Sequence, residues 1–184
     1  LGSRGLGDVY KRQIIGNPNP DFTYGFQTKV SWKSLSLSAS FNGVQGRDIL
    51  NVGNRYNNTP GTKSNNVTRK AFQNMWTDEN PSNLYPKSTF VVQNMVMDRY
   101  VEDGSYLRCS DITLSYVLPA KWTNKIGIKN TSVYASVKNA FVITDYSGYD
   151  PEVNSFAFDG LRPGVDMNSY PTPRSFVFGL NLTF

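Results

Sequence analysis

The sequence predicts an all-β fold of antiparallel up-and-down strands, the last five of a transmembrane β-barrel, present here as an open fragment. Three observations predict it: unbroken period-2 alternation at the carboxyl end, a hairpin whose register matches apolar with apolar, and connections alternately short and long. At the carboxyl end, Phe176, Phe178, Leu180, Leu182 and Phe184 share one parity. Ser175, Gly179, Asn181 and Thr183 share the other, with Val177 the one apolar intruder. Successive side chains on a strand point to opposite faces, so this stretch has one greasy and one polar side. Its length suits a tilted bilayer-spanning strand of roughly 9–11 residues.

The strands fall near 22–32, 35–48, 105–118, 130–144 and 174–184. In the first, Phe22, Tyr24, Phe26, Val30 and Trp32 oppose Thr23, Gly25, Gln27, Lys29 and Ser31. After Lys33-Ser34, Leu35, Leu37, Ala39 and Phe41 alternate with Ser36, Ser38, Ser40 and Asn42. A two-residue hairpin loop pairs Trp32 with Leu35, Val30 with Leu37 and Phe26 with Phe41, so turn length and register agree. Ile112, Leu114, Tyr116 and Leu118 define the third strand, and Val133, Ala135 and Val137 more weakly the fourth.

The turns at Lys33-Ser34 and Pro119–Lys129 are short, whereas segments 49–104 and 145–173 are long and polar. Short and long alternate, which places each kind on one edge of the sheet. Outer-membrane barrels have short periplasmic turns and long external loops. A secreted carbohydrate-binding β-sandwich is the alternative; it favours connections of similar length and would bury Phe26 against Phe178 between two sheets.

Composition narrows the chemistry. There is no run of some 18 apolar residues, so no transmembrane helix is expected. The mean hydropathy of −0.43 is compatible with a barrel, which hides its apolar content in every second residue. No histidine occurs, removing imidazole as base or metal ligand. With no Gly-x-Ser-x-Gly and no metal-ligand spacing, no catalytic residue, cofactor or metal is expected and an enzyme is disfavoured. The one cysteine, Cys109, reads as a plain strand residue.

Residues 3–13, Ser-Arg-Gly-Leu-Gly-Asp-Val-Tyr-Lys-Arg-Gln, resemble one translated frame of a transposase adapter used in DNA sequencing libraries. Residues 1–13 are therefore expected to be a non-native scar. Arg4, Lys11 and Arg12 against Asp8 carry +2 of the formal +5, leaving +3. That balance gives little support to a nucleic-acid partner.

From residue 14 onward the chain resembles a known family. Ile15-Gly-Asn-Pro-Asn-Pro-Asp-Phe-Thr-Tyr-Gly25, Gly43-Val-Gln-Gly-Arg-Asp-Ile49, Trp76-Thr-Asp-Glu-Asn-Pro-Ser-Asn83 and Glu102-Asp-Gly-Ser-Tyr-Leu-Arg108 look like late strands of SusC/RagA-family TonB-linked outer-membrane transporters. Gly148-Tyr-Asp-Pro-Glu152 and Tyr170-Pro-Thr-Pro-Arg174 follow in the family's order. Cys109 and Ser110 depart from it, standing where an apolar and a basic residue are commoner. The resemblance implies the C-terminal part, residues 14–184, of a barrel of about 22 strands closed by an N-terminal plug. It further implies a glycan or peptide importer with three protein partners: the TonB complex, a SusD-like surface lipoprotein and the barrel-assembly machinery. The plug and the TonB box are not in this sequence, and five strands cannot close a barrel when the smallest use eight.

Candidate site residues follow from these expectations. Gly179, Leu182 and Phe184 resemble the C-terminal barrel-assembly signal, with Val177 where that signal usually has a polar residue. Tyr56, Trp76, Tyr85, Tyr146 and Tyr149 lie on the long segments, where aromatic faces could stack on sugar rings or contact the lipoprotein. Asn66 is expected to cap a short helix through Val67–Trp76, with Phe72, Met75 and Trp76 on one side. Asp145, Asp150 and Glu152 loosely suggest oxygen ligands for Ca²⁺, but their spacing matches no EF-hand and favours a solvated turn. Trp122, flanked by Lys121 and Lys125, reads as an interfacial anchor in the lipid bilayer.

Overall fold

Among the described residues eight strands form, in chain order β1 (Phe22–Trp32), β2 (Leu35–Gln45), β3 (Asp48–Asn51), β4 (Val101–Asp103), β5 (Tyr106–Val117), β6 (Asn130–Thr144), β7 (Val165–Asp166) and β8 (Ser175–Thr183). Helices α1 (Val52–Asn58), α2 (Arg69–Asn74) and α3 (Ala120–Thr123) are short. This computed structural model describes residues 14–59, 66–88, 96–123, 128, 130–152 and 154–183. The adapter-like residues 1–13, Lys125 and the terminal Phe184 lie outside them.

The long strands make one antiparallel sheet in the order β1-β2-β5-β6-β8, an up-and-down meander whose first and last strands are not joined to each other. The expected hairpin register is the observed one: Trp32 faces Leu35, Val30 faces Leu37 and Phe26 faces Phe41. Lys33 takes a positive φ of 53° to turn the chain within two residues. Across the sheet the apolar parity stays in step, as in Leu37↔Leu114, Leu114↔Ala135 and Ala135↔Phe178.

The two faces differ in chemistry. One carries Phe26 and the half-buried Phe41, stacked at 4.6 Å between ring centroids, together with Trp32, Leu37, Leu114, Leu180 and Leu182, which like Phe26 are large and exposed. The other carries polar side chains bonded to one another: across strands Gln27 donates to Ser40 at 3.1 Å and Ser136 to Asp111 at 2.7 Å, and within β5 Thr113 donates to Asp111 at 2.8 Å. A greasy face left uncovered by protein, backed by a polar one, is what a barrel wall between lipid and a wet lumen requires. Phe26 is 53% and Phe178 78% exposed, so the pair that a sandwich would bury stays open.

Two departures from the expected strands have local causes. The second strand ends at Gln45 rather than near 48, because Gly46 adopts φ +73° and its N–H donates to Ser105 Oγ instead of a neighbouring strand. Register also steps around Ser110. Nothing on β2 stands between Ser40 and Phe41, Ser110 stands between Cys109 and Asp111, and Asn139 and Ala140 stand between Lys138 and Phe141. This bulge bends the upper part of the sheet. Ser110 Oγ donates to the Ser40 carbonyl across the step. Cys109 is thus a fully buried strand residue beside the bulge.

Candidate functional site

Above the wall, the long segments fold into a second layer. β3 is its centre, antiparallel to β4 and parallel to β7. Asn51 closes β3 and caps α1, its Oδ1 accepting from the Asn54 N–H at 2.8 Å. Helix α2 is capped by Thr68, whose hydroxyl accepts from the Ala71 N–H at 3.2 Å. The expected cap Asn66 and the span Val67–Trp76 are corrected accordingly: the helix runs Arg69–Asn74, and Met75 and Trp76 leave it extended. Met75 then bridges to Tyr85, with the Trp76 N–H donating to the Tyr85 carbonyl at 3.0 Å.

Three carboxylates hold the layer together. Glu102 Oε1 accepts from Asn51 Nδ2 at 3.0 Å and Asn54 Nδ2 at 2.8 Å, and its Oε2 accepts from the Ser147 N–H at 2.9 Å. Asp166, 2% exposed, accepts from the Tyr146 hydroxyl at 2.8 Å and the Ser169 N–H at 2.9 Å. Burial and then that hydroxyl–carboxylate bond push the Tyr146 phenol far above its ordinary range.

The third is Asp150, 3% exposed, facing Arg108, 5% exposed, which rises from the wall strand β5. Arg108 Nη2 lies 2.5 Å from Asp150 Oδ1, and its Nε lies 2.8 Å from Glu152 Oε2. Burial alone would raise the Asp150 carboxyl. The N–H groups of Glu152 and Thr172, the Thr172 hydroxyl and Arg108 outweigh it and hold the carboxyl below its ordinary value. Asp150 and Glu152 were expected in a solvated turn, with Ca²⁺ the weaker possibility. For Asp150 the solvated turn is corrected, because it is buried against the Arg108 guanidinium; Glu152 meets the same guanidinium but stays exposed in its turn. Asp145 is exposed and bonds to neither among the described residues.

Between α1, α2 and the segment after β6 lies a cleft of about 420 Å³. Its walls are amides and rings: Asn54, Asn57 and Asn168, with Lys70, Tyr85 and Tyr149. Tyr85 and Tyr149, two of the five aromatic candidates, are thus brought together. Trp76 stands behind Tyr85 with Lys87 Nζ 4.9 Å from its ring, and Tyr56 sits on α1 beside Arg55, 5.4 Å away. Tyr146 is buried against Asp166 and offers nothing to a ligand. The asparagines were not anticipated, although Asn51, Asn54 and Asn57 recur every three residues, the spacing that aligns side chains on one helix face.

At the opposite end of the wall, Trp122 is 65% exposed on α3 and Lys121 is exposed beside it. Gly179 pairs with Tyr134, whose ring lies flat over it: a Cβ there would stand 2.2 Å from Tyr134 Cε1. Leu182 pairs with Thr131.

No protein-family model matches the chain. TonB-dependent receptor P26 of Formosa agariphila is 34% identical over 179 residues, which is 93% of this chain and 18% of that protein. TonB-dependent receptor SusC of Bacteroides thetaiotaomicron is 34% identical over 185 residues, covering 97% of this chain and 16% of that receptor. In three dimensions the chain matches the RagAB peptide transporter with a TM-score of 0.79 at 29% identity, over 93% of this chain and 18% of that one. The match to the open-open state of the RagAB peptide importer has a TM-score of 0.76 over 94% of this chain. The chain belongs with the TonB-dependent receptors of the SusC/RagA type. It spans 16–18% of the length of these SusC/RagA-type relatives.

Proposed function

We propose that this SusC/RagA-type chain is part of the wall and outer loops of an outer-membrane importer that takes up glycan or peptide in a TonB-dependent cycle, beneath a SusD-like lipoprotein. One observation carries the reading: similarity to such receptors runs over nearly the whole chain and coincides with a sheet that is apolar outside and hydrogen-bonded polar inside. The open edges of β1 and β8 agree with it, since unpaired backbone groups are too costly in lipid and require further strands of the same barrel. In this reading Tyr56, Trp76, Tyr85 and Tyr149 stand on the outer loops available to cargo or lipoprotein, while Tyr146 supports them from within. Gly179, Leu182 and Phe184 serve assembly of the barrel, and Trp122 anchors the periplasmic interface. No catalytic step is assigned.

The test is made in the full-length receptor. Deleting its gene should abolish growth on its nutrient, and removing TonB should do the same with the receptor still in the outer membrane. Uptake that continues without TonB would overturn the proposal.

A further inference from the structure

We infer that the asparagine-lined cleft is a binding site for an acidic oligosaccharide, one bearing carboxylate or sulfate groups. The inference rests on the importer reading above and adds the chemical class of the cargo. At about 420 Å³ the cleft falls within the range of ligand sites, roughly 300–1,000 Å³.

Its polar groups divide into two sets. Asn51 and Asn54 are spent internally, on Glu102 and on the α1 cap. The side-chain amides of Asn57 and Asn168 bond to nothing among the described residues, nor does the Tyr149 hydroxyl, and Tyr149 is 72% exposed. Asn168 is held in place: it takes a φ of +64°, which asparagine tolerates, and its Oδ1 packs on Gly53, where a Cβ would stand 1.9 Å away. Free amides present donor and acceptor side by side, as neighbouring sugar hydroxyls do, and the Tyr85 and Tyr149 rings offer apolar faces to the C–H side of a pyranose.

Charge then selects among sugars. Among the described residues, Lys70 is the one charged side chain lining the cleft, and it makes no ion pair with any of them. The nearby carboxylates of Glu102 and Asp166 are saturated by five donors between them. The cleft therefore presents a cation and no free anion. A peptide is disfavoured on the same grounds. Its amino end or basic side chains would find no free carboxylate there, and β3, the longest strand of this layer, is paired on both edges by β4 and β7 and so offers none for backbone pairing.

The test uses the purified full-length receptor and a panel of uronate-containing, sulfated and neutral oligosaccharides and capped peptides, with affinities by calorimetry at two salt concentrations. The acidic sugars should bind best, and more weakly at high salt. Lys70→Ala should weaken them by up to about fivefold and flatten the salt response, the size of one partly exposed charge contact. Lys70→Arg should restore both, and Tyr149→Ala should weaken charged and neutral sugars alike. Preference for neutral sugars or for peptides, binding to none of the panel, or indifference to Lys70→Ala would each overturn the inference. Those outcomes leave TonB-dependent growth of the same strain intact, so this inference can fail while the importer reading stands.

Discussion

In the wall, residue pairs up one strand and down the next are matched in register over nine to eleven positions. In the loop layer the strands are two to four residues long, and individual side chains reach across the sequence, as Asn51 does to Ser147, 96 residues away. The wall repeats a period, so each pair supports the next and loss of one is shared. The loop layer hangs on three carboxylates, each gathering separate segments, so its stability is concentrated in a few atoms. Damage should therefore be local and severe above, diffuse and mild below.

The sharpest way to break that contrast is Asp150→Ala in the full-length receptor. It leaves the Arg108 guanidinium buried without its nearest partner and frees the Glu152 and Thr172 N–H groups. Breaking a buried pair from one side costs about 3–5 kcal/mol. Segment 145–173 should become cleavable by added protease while the barrel keeps its heat-resistant mobility on gels. Loss of the barrel along with the loop would show that the two layers are not independent.

Acid should do the same more gently. Because the folded carboxyl of Asp150 lies below its ordinary value of 3.8, its stabilisation is complete above that pH and is lost as pH falls through the folded value. Protease sensitivity of the loop should appear as pH falls below about 3.8, the wall persisting, and Asp150→Asn should already be sensitive at neutral pH. An unchanged acid profile in Asp150→Asn would locate the acid-sensitive group elsewhere.

How far each layer could be read from sequence follows from the same physics. Alternation has a period of two, so Val30↔Leu37 can be derived from local pattern and a two-residue turn, whereas Ala135↔Phe178, on strands joined by the long segment 145–173, follows from parity alone and not from a turn. The Arg108–Asp150 pair has no local signature. Forty-two residues separate its members, and an acidic triplet after a strand looks like a solvated turn until the arginine beneath it is placed. The cleft was half legible: exposed aromatics suggested Tyr85 and Tyr149, but asparagines read as loop polarity, because their use depends on what saturates the neighbouring carboxylates. The bulge at Ser110 was hidden for a related reason: the β5 residues facing the apolar positions of β2 change from even (Ile112, Leu114, Tyr116) to odd (Cys109, Leu107) across it, and a single inserted residue has no signature of its own in the sequence.

In the wall, Gly179→Ala probes the smaller, distributed cost. The added methyl would meet the Tyr134 ring at 2.2 Å, and the ring must swing off the strand. A cost of about 1–3 kcal/mol is expected from such overpacking, seen as a lower unfolding temperature with no gain in loop cleavage. Placing the same change in a Tyr134→Ala background should cost almost nothing beyond Tyr134→Ala itself. If the double variant still fails to reach the outer membrane while Tyr134→Ala alone succeeds, Gly179 acts in handover to the assembly machinery rather than in packing.

The smallest effect separates two candidates for one helix cap. Sequence favoured Asn66, but the Thr68 hydroxyl is the group that accepts from the Ala71 N–H, and it also donates to Asn58 Oδ1 on α1. Thr68→Ala should cost about 1 kcal/mol, the usual worth of a cap, and should loosen α1 with α2 because the shared bond to Asn58 goes with it. Asn66→Ala, a surface change away from any cap, should stay within about 0.5 kcal/mol. Amide exchange across residues 52–58 and 69–74 reads both at once. Faster exchange in both helices for Thr68→Ala, with neither altered by Asn66→Ala, is the expected result. Because α1 and α2 supply Asn57 and Lys70, the same variant should also weaken whatever occupies the cleft without moving a single residue of the wall.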